Sequence, residues 1–155
     1  MHSTLKQRLD ALNIEYPDAP RPGANFVATQ QVGNLLYVSG QVPVTSGIDR
    51  YVGKVGQDLA LEDGQAAACL CALNILAQVD RALGGEFSRV RRCIRLGGFV
   101  NAAADFTQHP QVLNGASDLI IAVLGEAGRH ARAAVGCNSL PRNVAVEVEA
   151  IFEIA

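Results

Sequence analysis

The chain has 155 residues, 49% of them hydrophobic, enough for one domain with a sizeable core and no reason to seek a second. Its formal net charge is −2, so the basic footprint that phosphate-driven nucleic-acid binding requires is missing and a nucleic-acid partner is not expected. Residues 1–7 lack a signal-peptide apolar core and no apolar run is long enough to span a bilayer, so a cytoplasmic protein with no membrane partner is expected.

Ser3 can cap a short helix whose apolar positions Leu5, Leu9 and Leu12 follow a helical period, and Asn13 with Pro17 ends it. This leader is expected to pack on the outside. Residues 17–23, with Pro20 and Pro22, read as an extended loop into the main domain. Segments 26–31 and 35–40 flank Gly33-Asn34, the pattern of a β-hairpin with a tight turn. Residues 43–56 read as a loop, and Gly53-Lys54-Val55 lacks the glycine spacing of a phosphate-binding loop.

Residues 61–83 carry Ala66, Leu70, Leu73 and Ala77 at helical spacing, with Gly84-Gly85 as the stop. Segment 90–100 alternates as a strand, with Ile94, Leu96 and Val100 on one face and Arg91, Cys93, Arg95 and Phe99 on the other. Pro110 opens a helix to Leu124 whose stripe is Val112, Ala116, Leu119, Ile120 and Val123, and Gly125 terminates it. Strands at 131–136 and 144–154 complete the order αββαβαββ. The fold class is α+β, a mixed sheet with two long helices on one face and a short extra N-terminal helix.

Cys69, Cys71, Cys93 and Cys137 sit in apolar settings without a C-x-x-C pair, which points to reduced, buried thiols. They and the histidines His109 and His130 lack metal-ligand spacing, so no metal is expected. Arg89, Arg91, Arg92 and Arg95 form a basic run without interleaved aromatics, a better match to a solvated edge or an interface than to an RNA track.

The last 26 residues carry the chemistry. Arg132 precedes Ala133-Ala134-Val135, Leu140-Pro141 follows, and Val146-Glu147-Val148-Glu149-Ala150-Ile151 alternates. A guanidinium and a carboxylate are thus expected on two neighbouring strands, where the first can grip a substrate carboxylate and the second can accept a proton from water. Arg132 could instead pair with Glu147 or Glu149, which share one face of their strand.

This ending resembles that of the Rid family of enamine and imine deaminases, also called YjgF-like or L-PSP proteins. The hairpin Val32-Gly33-Asn34-Leu35-Leu36-Tyr37-Val38-Ser39-Gly40-Gln41-Val42-Pro43 is similar to another signature of that family, and Asp105-Phe106 followed by Asn114 to a third. The resemblance covers roughly 26–154, which divides the chain into a leader, 1–24, and a Rid-like domain, 25–155. It implies a chorismate-mutase-like fold, a homotrimer, and a cofactor-free, metal-free site in each cleft between subunits for a small carboxylate substrate.

Carried over, Arg132 would hold the substrate carboxylate, Glu149 and the Ala134 carbonyl would orient the attacking water, Gly40 would offer backbone contact and Asn114 would support the pocket wall. Asn25-Phe26-Val27 stands where many such deaminases have Tyr-Ser, so Phe26 replaces a phenolic hydroxyl at the pocket edge. The implied reaction is hydrolysis of 2-enamine or 2-imine acids to 2-oxo acids and ammonia. The alternative is a trimer that binds small carboxylates without turnover, and ribonuclease activity is least favoured by the charge.

Overall fold

The computed structural model describes residues 3–155; Met1 and His2, part of the expected leader, lie outside them. In chain order the elements are α1 (Leu5–Asp10), β1 (Thr29–Val32), β2 (Leu35–Gln41), β3 (Val44–Thr45), β4 (Ile48–Asp49), α2 (Leu61–Ala82), β5 (Val90–Asn101), α3 (His109–Leu124), β6 (Ala131–Cys137) and β7 (Val146–Ile154). The main sheet has the order β1-β2-β7-β5-β6, with β5 and β6 parallel and every other pair antiparallel. A parallel pair needs a crossover, which α3 supplies, so β5-α3-β6 is a βαβ unit.

Helices α2 and α3 cover one face of the sheet, where Leu36, Val38, Leu96, Val100, Val148 and Phe152 are buried against them. The two helices approach closely at Gly115, where a Cβ would collide with the Gln65 carbonyl. The other face carries Tyr37, Phe99, Val135 and Ile151, all at least partly exposed.

Three local expectations are corrected. Thr4, not Ser3, caps α1: its hydroxyl accepts from the Gln7 amide at 3.2 Å while Gln7 Oε1 accepts from the Thr4 amide at 2.9 Å. The helix contacts α2 and α3, and it buries Leu5 and Leu9 completely, each worth about 1.5–3 kcal/mol. Residues 43–56 are not all loop, because β3 and β4 pair across Ser46-Gly47, both at positive φ.

Cys93 is the third. Irregularities between Val90 and Arg92 and between Cys93 and Arg95 break the alternation of β5, so Cys93 sits opposite Phe152 in the core and not on the open face. All four cysteines are free, and burial pushes the Cys93 thiol up to about 12 and the Cys71 thiol well above its ordinary value. Alkylation of the denatured protein without reductant should therefore add four labels by intact mass, and fewer would contradict the thiol assignment. Among the described residues no helix is long and apolar enough to cross a membrane.

Candidate functional site

Arg132 lies on the edge strand β6 opposite Leu96, so its side chain points to the helix-covered face. Its Nη1 donates to Asn114 Oδ1 and to Ser117 Oγ, both at 3.0 Å, and its Nη2 donates to the Pro110 carbonyl at 3.2 Å. All three acceptors belong to α3 and all are neutral, so the guanidinium is oriented without being neutralised. Two of its five N–H groups, Nε–H and one on Nη2, stay available to a ligand.

Neither glutamate of β7 reaches it. Strand β5 separates β6 from β7, and Glu149 stands opposite Gly97 on the open face, bonded to Arg95 at 3.1 Å. The expected neighbouring strands, and the alternative pairing of Arg132 with Glu147 or Glu149, are both overturned. The cause is the parallel crossover: β6 and β7 are consecutive in sequence, but β5 occupies the place between them.

The carboxylate half lies by β2 and β7. A cavity of about 570 Å³ opens there between residues 18–24 of the leader, Phe26, Gly40, Arg142 and Glu147. Gly40 sits so close to Glu147 that a Cβ would overlap its carboxylate. Glu147 is about half-buried, and desolvation, reinforced by the charge of Glu149 and opposed by Arg142, holds its pKa above the usual glutamate value. Arg142 occupies a left-handed conformation, φ 53°, and grips Asp49 through Nε at 2.7 Å and Nη2 at 2.9 Å. That pair ties the Leu140-Pro141 turn to β4 and fixes one rim of the cavity.

The opposite rim is the leader, clamped by α2. Buried Gln78 donates to the Pro20 carbonyl at 2.6 Å, Arg81 to the Ala19 carbonyl at 3.0 Å, and the Tyr16 hydroxyl to Asp80 at 2.6 Å. With Pro20 and Pro22 limiting backbone freedom, this wall is held in place.

Of the residues expected at a site, Phe26 and Gly40 meet in the cavity, Arg132 and Asn114 meet at α3, and Ala134 follows Arg132 on the same face of β6. Glu149 joins neither group. Sequence reasoning passed over Glu147 as the cavity carboxylate and missed Ser117, Arg142 and the leader wall. A partial signal for Ser117 exists, since it lies one helical turn after Asn114 and so shares its face.

The family model described as "YjgF/chorismate mutase-like, putative endoribonuclease" matches residues 6–154. Protein TCP17 of Trypanosoma cruzi is 45% identical over 147 residues, 94% of this chain and 91% of that protein. The crystal structure of protein Atu1372 from Agrobacterium tumefaciens, of unknown function, is 52% identical with a TM-score of 0.91, covering 97% of this chain and 92% of that one. RidA from the Antarctic bacterium Psychrobacter is 28% identical with a TM-score of 0.61, over 88% and 94% of the two chains.

Proposed function

Because the chain belongs to the YjgF/chorismate-mutase-like family, we propose that it hydrolyses reactive 2-enamine and 2-imine acids to 2-oxo acids and ammonia in the cytoplasm, at sites between the subunits of a homotrimer. The observation that carries this reading is the division of the machinery. An arginine without an acid partner among the described residues stands at one edge of the sheet, and a desolvated carboxylate stands beside a cavity on the other side of β5. One chain cannot bring them together. Cyclic association sets the Arg132 half of one copy against the Glu147 half of the next, and the open sheet face with Tyr37, Phe99, Val135 and Ile151 supplies apolar contact area. Light scattering at micromolar concentration should give the mass of three chains; a mass of one or two contradicts the assembly.

In this scheme Arg132 takes the substrate carboxylate, Asn114 holds the guanidinium, Phe26 gives an apolar wall, and the Ala134 carbonyl with Glu147 orients water. Gly40 leaves room for the Glu147 carboxylate. An enamine first gains a proton at its β-carbon and loses one from nitrogen, becoming the imine. Water adds to the imine carbon while Glu147 passes one water proton to the nitrogen. The C–N bond then breaks, its electron pair leaving on nitrogen, and the second water proton follows from the hydroxyl as the C=O bond forms. A 2-imino acid is already electrophilic, so positioning and proton transfer suffice without metal or cofactor.

We assign the proton-accepting role to Glu147 in place of Glu149. Glu149 is engaged by Arg95, whereas Glu147 borders the cavity, where desolvation raises its basicity above that of an ordinary glutamate. Release of ammonia and pyruvate from freshly generated 2-aminoacrylate, faster with the protein than without it, tests the reading. Phe26, which brings no hydroxyl to the cavity, favours a second reading, a trimer that binds 2-oxo acids; it predicts binding without ammonia release. The basic run offers little support to RNA cleavage: Arg92 pairs with Glu153 at 3.0 Å, Arg95 with Glu149, and Arg89 donates to the Ala155 carbonyl.

A further inference from the structure

We propose that His130 and Ser117 are positioning residues that set the direction of Arg132 through a one-way hydrogen-bond relay, an inference that rests on Arg132 being the carboxylate anchor. His130 Nδ1 lies 2.6 Å from the Gly128 carbonyl, which can only accept, so Nδ1 carries a proton. With the ring's one proton on Nδ1, the bare nitrogen is Nε2, 2.8 Å from Ser117 Oγ. The serine hydroxyl spends its proton on that nitrogen, and its oxygen is left as an acceptor for Arg132 Nη1 at 3.0 Å. Both ring nitrogens are consumed in this way, so His130 acts through Ser117 and not on the substrate.

The relay has a purpose that packing alone would not require. Ser117 is 8% exposed, and a hydroxyl there with its proton free to rotate could turn a donor toward the guanidinium. Fixing that proton on His130 removes the wrong orientation. Together with Asn114 Oδ1 and the Pro110 carbonyl it fixes the plane of the fork and leaves the same two N–H groups always outward. The backbone source of direction is the turn Gly125–Gly128, which follows α3 and aims the Gly128 carbonyl at the ring.

The test uses Ser117→Ala, His130→Ala and the double variant in the assembled protein, with 2-oxobutanoate affinity read by calorimetry and imine hydrolysis read alongside. Each single substitution should weaken binding about five- to tenfold, the size of one ordinary hydrogen bond lost from the support of Arg132 while its ligand-directed N–H groups remain. Where turnover is present, the loss should fall on KM with kcat nearly held. The double variant should bind like Ser117→Ala alone, because the histidine acts only through the serine. His130→Gln, whose amide oxygen can accept from Ser117, should recover most of the affinity.

Independently of any variant, ¹⁵N resonances of the wild-type imidazole should report a protonated Nδ1 and an unprotonated Nε2 near neutral pH. The opposite tautomer, strictly additive losses, or unchanged affinity in both single variants would overturn the relay. A wild-type protein that binds 2-oxo acids without turnover overturns only the deaminase reading. One that binds none overturns the anchor and the relay together.

Discussion

Glu147→Gln is expected to lower hydrolysis of 2-aminoacrylate by roughly two to four orders of magnitude, the usual worth of a positioned general base, while 2-oxo acid binding stays close to wild type. The amide keeps shape and removes the proton acceptor. Burial raises the Glu147 pKa, so the acid limb of kcat/KM should lie above that of an ordinary glutamate, with activity lost as pH falls through the raised value. The stability consequence has the opposite sign. The folded state holds this proton more tightly than the unfolded chain, so a stabilising contribution is present below the unfolded pKa and is lost as pH rises through the folded one. At neutral pH Glu147→Gln should therefore melt no lower than wild type. Glu149→Gln removes a neighbouring negative charge and should shift the acid limb downward with the neutral-pH rate little changed. A large loss in Glu149→Gln with none in Glu147→Gln would reverse the assignment of the two carboxylates.

Arg132→Ala is the second large effect. Losing both ligand-directed N–H groups should lower kcat/KM by at least about tenfold to hundredfold per charge-assisted interaction, each worth about 1.5–3 kcal/mol, and 2-oxo acid binding should disappear with the hydrolysis. The protein should remain folded, because no carboxylate in the described chain depends on this guanidinium for charge balance. Arg132→Lys should rescue poorly, since an ammonium keeps the charge but loses the planar two-point fork. Scattering mass and thermal melts check the fold; a variant that unfolds would instead assign Arg132 to the framework.

The long elements were legible because their signals are local. Proline in the first turn of α3, Gly125 at its end and Gly84-Gly85 after α2 mark boundaries by backbone conformation alone. Ser46-Gly47 was the same kind of signal, a two-residue turn with positive φ at both positions, but two-residue strands give alternation nothing to work on.

The candidate site was half legible. Arg132 and Asn114 could be named from the resemblance, yet their separation from Glu147 depends on β5 entering between β6 and β7, a non-local pairing. Which of two carboxylates on one face borders a cavity depends in turn on the irregularity in β2 after Val38 and on a leader clamped by Gln78 and Arg81. Strand alternation reports a face and carries no information about what stands over it.

Subunit mixing is the most direct test of a site divided between chains. Arg132→Ala and Glu147→Gln proteins, each inactive alone, are unfolded together in equal amounts and refolded. If each site takes its arginine from one chain and its carboxylate from the next, random assembly restores both wild-type groups to about one site in four, and hydrolysis of 2-aminoacrylate should return to about a quarter of the wild-type rate. Mixed trimers with no recovered activity, beside wild-type protein that refolds to full activity by the same procedure, would contradict the composite site.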